Sequence, residues 1–189
     1  MEELKQRIVQ DGKVLPGDII KVDSFLNHQI DPQLMAHIAD EFAKRLDLSK
    51  VTKVLTAEAS GIALATICAY RYGVPMVFAK KTKSDNIEGG LYKAEVFSFT
   101  YKVTRTFIVA QDRISADDVV FVVDDFLANG EAIRGLIEIV RQAGATLAGI
   151  GIAVEKGFQG GGDRLRAEGY PLTSLAIIEK ADESGIEFR

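Results

Sequence analysis

The apolar positions near the start of the chain recur with the period of an α-helix. Leu4 and Ile8 lie about one turn apart, which predicts a short helix over residues 2–10. A longer helix is predicted from Pro32, which suits the first helical position behind Asp31 as the N-cap. Its apolar residues are spaced four apart, at Leu34, Ile38, Phe42 and Leu46. We expect this amphipathic helix to pack on the core.

Short apolar runs that alternate with helical patterns predict two βαβ units. In each unit a strand leads into a helix and a second strand follows, which is how parallel strands are connected. The first unit has a strand at 54–57, a helix that continues to Tyr72 and ends at Gly73, and a strand at 75–79. The second has a strand at 119–123, a helix at 132–143 closed by Gly144, and a strand at 147–154. The run at 119–123 is continuously apolar, which is typical of a strand buried on both faces.

Between the two units the pattern changes to alternation. Residues 80–91 are polar and have no clear period. Apolar and polar residues then alternate, and an extended run follows at 106–110, which together predict an antiparallel hairpin on the edge of the parallel sheet. The alternating apolar residues are Phe97, Phe99, Tyr101 and Val103.

These elements predict an α/β fold in one domain over residues 1–189. Its mainly parallel, twisted sheet is flanked by helices, because both βαβ units place a helix against the sheet. The antiparallel hairpin follows the polar loop, and residues beyond 154 read as short helical and extended pieces. A short strand is also expected at Asp18–Val22.

Charge and cysteine content narrow the class of protein. The net charge of −4 argues against non-specific binding to nucleic acid or to anionic lipid. Cys68 is the single cysteine, so neither an intrachain disulfide nor a multi-cysteine metal site is available. The chain lacks a signal-peptide pattern and an apolar run of roughly 18 residues. We therefore expect a cytoplasmic protein with no membrane partner.

The strongest candidate for chemistry follows the strand at 119–123. Asp124 and Asp125 are adjacent carboxylates that repel each other, so a cationic or hydroxyl-bearing group should stabilise them. The loop from Ala128 to Ala132 then enters a helix, whose N-terminus favours a phosphate. A ligand with hydroxyls, a metal ion and a phosphate, such as ribose 5-phosphate, fits this pattern. The alternative is a solvated loop with an incidental helix cap.

Two more strand ends carry polar residues. The loop Glu58–Gly61 precedes a helix and could bind an anion, although a plain turn between strand and helix is an equal alternative. The lysines at 80, 81 and 83 could bind a diphosphate or form a solvated surface. Lys156 and Phe158 follow the strand at 147–154, where a surface lysine and a core phenylalanine would be the simpler interpretation.

The segment from 119 to 132 resembles the ribose-phosphate signature of type I phosphoribosyltransferases: an apolar strand, two acids and a Gly-containing phosphate loop. Most of that family has Thr or Ser in the loop. Here the loop is Ala128, Asn129, Gly130, Glu131 and Ala132, which is similar to the loop of bacterial xanthine phosphoribosyltransferases. Those enzymes usually have Gln at the position of Glu131. The residues from 20 to 30 also resemble the hood that covers the base in them.

The resemblance implies a role for each matching residue. Asp124 and Asp125 would be catalytic and would orient the ribose hydroxyls, with the five loop residues binding the 5-phosphate. Ala59, Ser60 and Gly61 would bind pyrophosphate together with Lys81, at the start of a flexible loop and in related enzymes across a dimer interface. Ile20, Asn27, Lys156 and Phe158 would contact the base. The hood would comprise residues 1–32 and part of the C-terminal region.

The implied reaction joins xanthine to phosphoribosyl pyrophosphate and yields xanthosine monophosphate and pyrophosphate. The implied cofactor is Mg²⁺, bound mainly through phosphoribosyl pyrophosphate, and the implied assembly is a homodimer. An Asn27 amide can donate to a 2-oxo group, which favours xanthine over hypoxanthine, yet it can also accept from the 2-amino group of guanine. The alternatives are therefore an enzyme for guanine, hypoxanthine or adenine, or a regulator that senses phosphoribosyl pyrophosphate. No DNA-binding segment precedes residue 18, which disfavours the regulator.

Overall fold

The structure is a computed structural model that describes residues 1–15, 19–81, 90–98, 103–182 and 185–189. The helices within these residues are α1 (Glu2–Asp11), α2 (Pro32–Arg45), α3 (Gly61–Tyr72), α4 (Glu131–Gln142) and α5 (Gly161–Ala167). The strands are β1 (Lys13–Leu15), β2 (Ile19–Lys21), β3 (Lys53–Ala57), β4 (Met76–Ala79), β5 (Leu91–Ser98), β6 (Val103–Ala110), β7 (Val119–Leu127), β8 (Thr146–Lys156), β9 (Leu172–Asp182) and β10 (Gly185–Phe188).

A central sheet has the strand order β10-β9-β8-β7-β3-β4. The strands from β9 to β4 run parallel, and β10 pairs antiparallel with β9 at one edge. The predicted α/β fold with a mainly parallel sheet is thus confirmed. The chain turns to one side after β3 and to the other side after β7, so the strand order reverses between these two neighbours. Ligands of open α/β sheets bind at such a reversal, beyond the carboxyl ends of the strands.

Helices cover both faces of this sheet, because alternate residues of each strand point to opposite sides. Val54 and Phe121 belong to a buried cluster with α1, α2 and α3, whereas their neighbours Leu55 and Val122 belong to a second cluster with α4 and the β5–β6 hairpin. Phe121 lies edge-on to the ring of Phe42, with a centroid distance of 5.7 Å. The two clusters hold the helices on opposite faces of the sheet, and the polar loops leave the sheet between these two layers of helices.

The predicted hairpin is confirmed as β5 and β6, which pair antiparallel from Leu91 and Ala110 to Ser98 and Val103. It attaches to the parallel sheet through Lys80 and Ile108, whose backbones exchange two hydrogen bonds of 2.9 and 3.0 Å. The bounds differ from the prediction: β5 begins six residues before Phe97, and Val103, which was predicted to belong to the same strand as Phe97, is the first residue of β6. Phe99, Tyr101 and the loop at 82–89 lie outside the described residues.

The N-terminal part follows the sequence pattern with one addition. The Asp31 side chain accepts from the backbone N–H groups of Gln33 and Leu34, so the predicted N-cap of α2 is confirmed. The strand predicted at 18–22 is β2, at 19–21, and pairs antiparallel with the unpredicted β1; Asp18 lies outside the described residues. A short π-helical turn at Asp23–Asn27 then leads to α2.

Two further predicted boundaries are wrong. Strand β7 continues to Leu127, so Asp124 and Asp125 lie inside the strand instead of after it, because β8 pairs with β7 as far as Leu127 and Glu155. The C-terminal region forms the eleven-residue strand β9 in addition to short pieces. Cys68 is fully buried, and burial raises the pKa of its thiol to about 12. Among the described helices, none has the length and apolar character that crossing a membrane requires.

Candidate active site

The loops that follow β3, β4, β7 and β8 lie at one edge of the sheet, because these strands are parallel neighbours. Ser60 follows β3, Lys81 follows β4, and Lys156 ends β8. Asp124 and Asp125 lie near the end of β7, beside the point where the strand order reverses. The sheet topology therefore brings the predicted residues from four separate segments to one edge.

The acidic pair is buried. Asp124 is 8% exposed and Asp125 is 3% exposed. The Asp124 Oδ1 atom accepts a 3.0 Å hydrogen bond from the backbone N–H of Asp125. Burial, followed by the charge of Asp125, holds the pKa of Asp124 well above the usual range of a carboxyl, while the Lys81 ammonium acts in the opposite direction. Asp124 therefore keeps its proton to a higher pH than an exposed aspartate does.

Two neutral side chains donate to the Asp125 carboxylate. The Asn27 amide donates to Oδ2 at 3.0 Å, and the Ser60 hydroxyl donates to Oδ1 at 2.8 Å. Asn27 comes from the N-terminal turn, predicted to contact the base, and Ser60 comes from the loop predicted to bind pyrophosphate. The three residues are 98 and 65 positions apart in sequence. Asp125 thus connects the N-terminal turn, the loop after β3 and the strand β7.

Helices α3 and α4 begin at this edge without a side-chain cap from their N-cap residues. A serine at the N-cap commonly accepts from the first turn of its helix, but the Ser60 side chain makes no such bond and turns to Asp125 instead. At α4 the N-cap is Gly130, which has no side chain and adopts a left-handed φ of 92°. The N–H groups of both first turns can therefore receive an anion, and both macrodipoles favour one.

The loop before α4 is held from its other side by α5. A Cβ on Gly161 would lie 2.1 Å from the Ala128 carbonyl oxygen, so only glycine permits this approach. The Arg164 guanidinium donates to the Asn129 carbonyl at 3.1 Å. These contacts fix the backbone of the loop, whose N–H groups would have to receive a phosphate because Ala128 and Ala132 have no polar side-chain atoms.

Glu131 is the first residue of α4, where its carboxylate favours the helix and opposes a phosphate. Its charge acts on Arg134, one turn later: the ion pair with Glu168 raises the pKa of Arg134 first, and Glu131 raises it further. Part of the Glu131 charge is therefore offset by a neighbouring guanidinium. Ala132 is half-buried next to it.

Lys81 lies at the base of the segment predicted to be flexible. Its backbone N–H donates to the Glu58 carboxylate at 2.5 Å, and its ammonium lies 5.9 Å from the centroid of the Phe107 ring. Glu58 precedes the loop at Ala59 and Gly61, and the peptide bond between Glu58 and Ala59 is cis. The loops after β3 and β4 are therefore connected, and the charge of Lys81 reaches the acidic pair of its own chain.

The residues predicted to contact the base differ in their exposure to solvent. Phe158 is 37% exposed beyond β8, and Lys156 is half-buried, with its ammonium 6.0 Å from the centroid of the Phe126 ring. Ile20 is buried in the apolar cluster that includes α1, α2 and α3, and Phe126 packs against that same cluster. Ile20 is therefore enclosed by apolar side chains, Lys156 lies near Phe126, and Phe158 is open to solvent.

Two residues of this edge are absent from the sequence prediction. Phe126 follows the acidic pair directly, and this position was the signal that could have identified it. Thr56 is fully buried, and its hydroxyl has no hydrogen-bond partner within the described residues. A Cβ on Gly61 would lie 2.2 Å from that hydroxyl and 2.6 Å from Asp124 Oδ1, which shows how closely the loop passes both groups.

A metal ion would find few protein ligands here. In the described part of the chain, no three side chains of the His, Cys, Asp or Glu type gather in a way that could hold one. The Asp125 carboxylate already receives two donors, and Asp124 is buried against the loop. The donor set of this edge therefore fits a cation that arrives with oxygen ligands of its own.

A family model described as a phosphoribosyl transferase domain matches residues 24–187. The match includes the acidic pair, both helix N-termini and the loop after β8. The chain belongs to the phosphoribosyl transferase domain family. The resemblance predicted from the signature at 119–132 is thereby confirmed.

Relatives that match the full length of the chain narrow this class. A xanthine phosphoribosyltransferase of Bifidobacterium adolescentis is 53% identical over 192 aligned positions, covering 100% of both chains. One of Lactobacillus delbrueckii subsp. bulgaricus is also 53% identical, again with 100% of both chains covered. One of Oceanobacillus iheyensis is 48% identical and covers 100% of this chain and 97% of its own.

Solved structures of adenine phosphoribosyltransferases share the fold. The enzyme of Giardia lamblia, complexed with 9-deazaadenine, has a TM-score of 0.76 at 22% identity, with 92% of this chain and 96% of that chain covered. The enzyme of Thermoanaerobacter pseudethanolicus has a TM-score of 0.72 at 24% identity, with 93% and 98% covered. At this level of identity the likeness shows the fold alone.

Proposed function

We propose that the protein transfers the 5-phosphoribosyl group from phosphoribosyl pyrophosphate to xanthine, giving xanthosine 5′-monophosphate and pyrophosphate. The observation that carries this proposal is the buried Asp125 carboxylate, held by Asn27 and Ser60 between two helix N-termini that their N-cap residues leave uncapped. Two anion sites flanking one hydroxyl acceptor match a sugar with a phosphate at one end and a diphosphate at the other. The relatives named above support xanthine as the base.

In this proposal the 5-phosphate binds at the N-terminus of α4. The backbone N–H groups of Ala128 to Ala132 would donate to it, and the macrodipole of a twelve-residue helix would favour its charge. The ribose hydroxyls would then lie against Asp124 and Asp125. Each carboxylate oxygen of Asp125 can accept a second hydrogen bond, so the ribose hydroxyls can bind while the Asn27 and Ser60 donors stay in place.

The diphosphate would bind at the N-terminus of α3, next to Ala59, Ser60 and Gly61. Lys81 would add a positive charge from the neighbouring loop. Mg²⁺, bound mainly through the diphosphate, would offset the negative charge of the leaving group. A cation that brings its own phosphate oxygens suits the donor set of this edge, in which Asp125 is already satisfied.

The base would lie next to the ends of β7 and β8. The Lys156 ammonium is a donor, which favours the 6-oxo group of an oxopurine over the 6-amino group of adenine. Phe158 would stack on the ring, and Phe126 would lie beneath Lys156. Ile20 and Asn27 would close the site from the hood, formed by residues 1–32 and part of the C-terminal region.

The reaction breaks the bond between the anomeric carbon and the diphosphate, and a purine nitrogen attacks from the opposite face with inversion. Positive charge develops on the ribose ring as the diphosphate leaves. The carboxylate of Asp125 is fixed in place before the reaction by its two donors, so it stabilises this charge without reorganisation.

The proposal includes a homodimer in the cytoplasm, with residues 1–189 acting as one domain. A chain with one fully buried cysteine has no need of an oxidising compartment. Within one chain the Lys81 charge lowers the pKa of Asp124, so we place Lys81 in the site of its own subunit. Mixing Lys81→Met with Asp124→Asn tests this: restored activity in the mixture would place Lys81 in the partner's site instead.

The deciding experiment measures turnover of xanthine, guanine, hypoxanthine and adenine with phosphoribosyl pyrophosphate and Mg²⁺. We expect the highest kcat/KM for xanthine. Asp125→Asn should abolish most of the activity, whereas the exposed Asp117→Asn is the matched control and should retain it. A higher kcat/KM for guanine or adenine would overturn the choice of base, and equal activity of both variants would overturn the site.

A further inference from the structure

A buried ion pair lies directly behind the segment proposed to bind the base. Glu155 precedes Lys156 at the end of β8 and is 0% exposed. The Arg166 guanidinium donates to both of its oxygens, at 3.0 and 2.6 Å, and the Ser174 hydroxyl donates to one of them. Ser174 also accepts from Arg166 at 3.2 Å. Glu155, Arg166 and Ser174 form a closed triangle of hydrogen bonds, which we call the Glu155 triangle.

The Glu155 triangle connects the two ends of the base-binding segment. Glu155 lies immediately before Lys156 and three positions before Phe158. Arg166 lies eleven positions after Glu155, in α5. The backbone of α5 packs closely on the carboxylate, because a Cβ on Gly162 would lie 2.1 Å from Glu155 Oε1. The segment between the two residues, which contains a short 3₁₀ turn at Gly157–Gln159 and the first turns of α5, therefore has fixed ends.

A second set of charges extends from the triangle and returns to the same segment. Arg166 also donates to Asp163 at 3.3 Å, and Arg189 donates to Asp163 at 2.7 and 3.0 Å. Arg189 then donates to Glu179 at 2.5 Å. A Cβ on Gly157 would lie 2.9 Å from Glu179 Oε1, so this carboxylate abuts the residue after Lys156.

Stability alone does not account for a charged pair at this place. Moving a carboxylate out of water costs much of what the guanidinium returns, and apolar residues of the same volume often stabilise a core as well or better. A bidentate pair does, however, fix the direction of both side chains, because the guanidinium presents its donors in a rigid fork. The geometry here suits orientation of the adjacent backbone.

We propose that Glu155, Arg166 and Ser174 are positioning residues for base recognition. They hold β8 and α5 so that the Lys156 ammonium and the Phe158 ring face the purine. This inference deepens the proposed function and rests on it. It predicts that a defect in the triangle acts on the base and changes the affinity for phosphoribosyl pyrophosphate far less, since α5 holds the phosphate loop through Gly161 and Arg164 and not through Arg166.

The test compares Arg166→Met with Arg71→Met. Arg71 forms a bidentate pair with Asp40 between α3 and α2, so its loss controls for removing such a pair elsewhere. We expect Arg166→Met to raise the KM for xanthine by about 10- to 100-fold, the effect of displacing a binding group by about 1 Å, and the KM for phosphoribosyl pyrophosphate by less than about twofold. Arg71→Met should change neither KM by more than about twofold.

Arg166→Met leaves Glu155 unpaired and can unfold the protein, so the double variant Glu155→Leu/Arg166→Met is measured beside it. The double variant removes both charges and should keep the melting temperature while retaining the raised KM for xanthine. Arg166→Lys, which keeps the charge and loses the fork, should lie between the parent and Arg166→Met. A folded double variant with a normal KM for xanthine would overturn the inference, as would equal increases in both KM values.

The proposed activity on xanthine and the positioning role of the Glu155 triangle are contradicted by different results. If the parent does not turn over xanthine, the proposed function is wrong and the variants are not needed. If the parent is active and Arg166→Met behaves as Arg71→Met does, the proposed function stands and the positioning role is wrong.

Discussion

Ser60 connects the loop after β3 to the acidic pair, and its replacement by alanine measures what this connection contributes. The hydroxyl donates to Asp125 at 2.8 Å, and Asp125 is 3% exposed. Hydrogen bonds to a charged group contribute about 1.5–3 kcal/mol. Because Ser60 itself is exposed, water can partly replace its hydroxyl, so we expect a loss near the lower end, about 1.5 kcal/mol. That loss is about a tenfold change in the unfolding equilibrium constant.

The assays are urea unfolding and thermal melting of Ser60→Ala without substrates, both monitored by circular dichroism. Without ligands, the measurement reports the bond to Asp125 and is independent of any contact between Ser60 and pyrophosphate. The melting temperature should fall by roughly 3–6 °C. Ser49→Ala is the matched control, since Ser49 donates to Asp47 at 2.6 Å on an exposed loop and its loss should cost less than about 0.5 kcal/mol.

Asn27→Ala extends the test, because Asn27 donates to the other oxygen of the same carboxylate. Removing either residue leaves one of these two neutral donors on Asp125, whereas removing both leaves its buried carboxylate with neither of them. The double variant should therefore lose more stability than the sum of the single losses, by about 0.5–3 kcal/mol. The reasoning would be refuted if Ser60→Ala were as stable as Ser49→Ala, or if the two losses were simply additive.

Three further predictions concern the same edge. Asp124→Asn should lower kcat by about 10²–10³-fold. Because burial raises the pKa of Asp124, its stabilising contribution is present at low pH and is lost as the pH rises through that pKa; the variant should therefore melt above the parent at pH 7 and at the same temperature near pH 4, as calorimetry would show. Gly61→Ala, whose Cβ would meet Thr56 at 2.2 Å, should lose about 1–3 kcal/mol in urea unfolding. Glu131→Gln should lower the KM for phosphoribosyl pyrophosphate and cost about 0.3–1 kcal/mol of stability, and an unchanged KM would show that the carboxylate lies away from the phosphate.

Local signals predicted the elements that depend on short stretches of sequence. Asp31 and Pro32 define the start of α2 because a cap and a fixed φ act within one turn. Gly73 closes α3 in a left-handed conformation of φ 69°, which a glycine adopts without strain. The continuous apolar run at the start of β7 identified a buried strand, because its residues alternate between the two faces of the sheet and both faces are covered by apolar clusters.

Strand β9 was not predicted as one long strand, because tertiary contacts change its pattern. Ser174 and Glu179 are polar residues within it, and they donate to or accept from side chains of β8 and the C-terminus. A polar residue that is satisfied by a distant partner interrupts an apolar pattern without ending the strand. The same reason applies to Asp124 and Asp125, which were expected to follow β7 and instead lie within it.

By itself, the sequence determined the parallel fold, the acidic pair and the loops that precede two helices, because these depend on the order and type of neighbouring residues. Only the tertiary structure decided that Asn27 and Ser60 both donate to Asp125, and that Arg166 pairs with Glu155 behind Lys156. Each of these contacts joins residues whose spacing carries no periodic signal. Their directions are set by the packing of strands and helices around them, which no local pattern encodes.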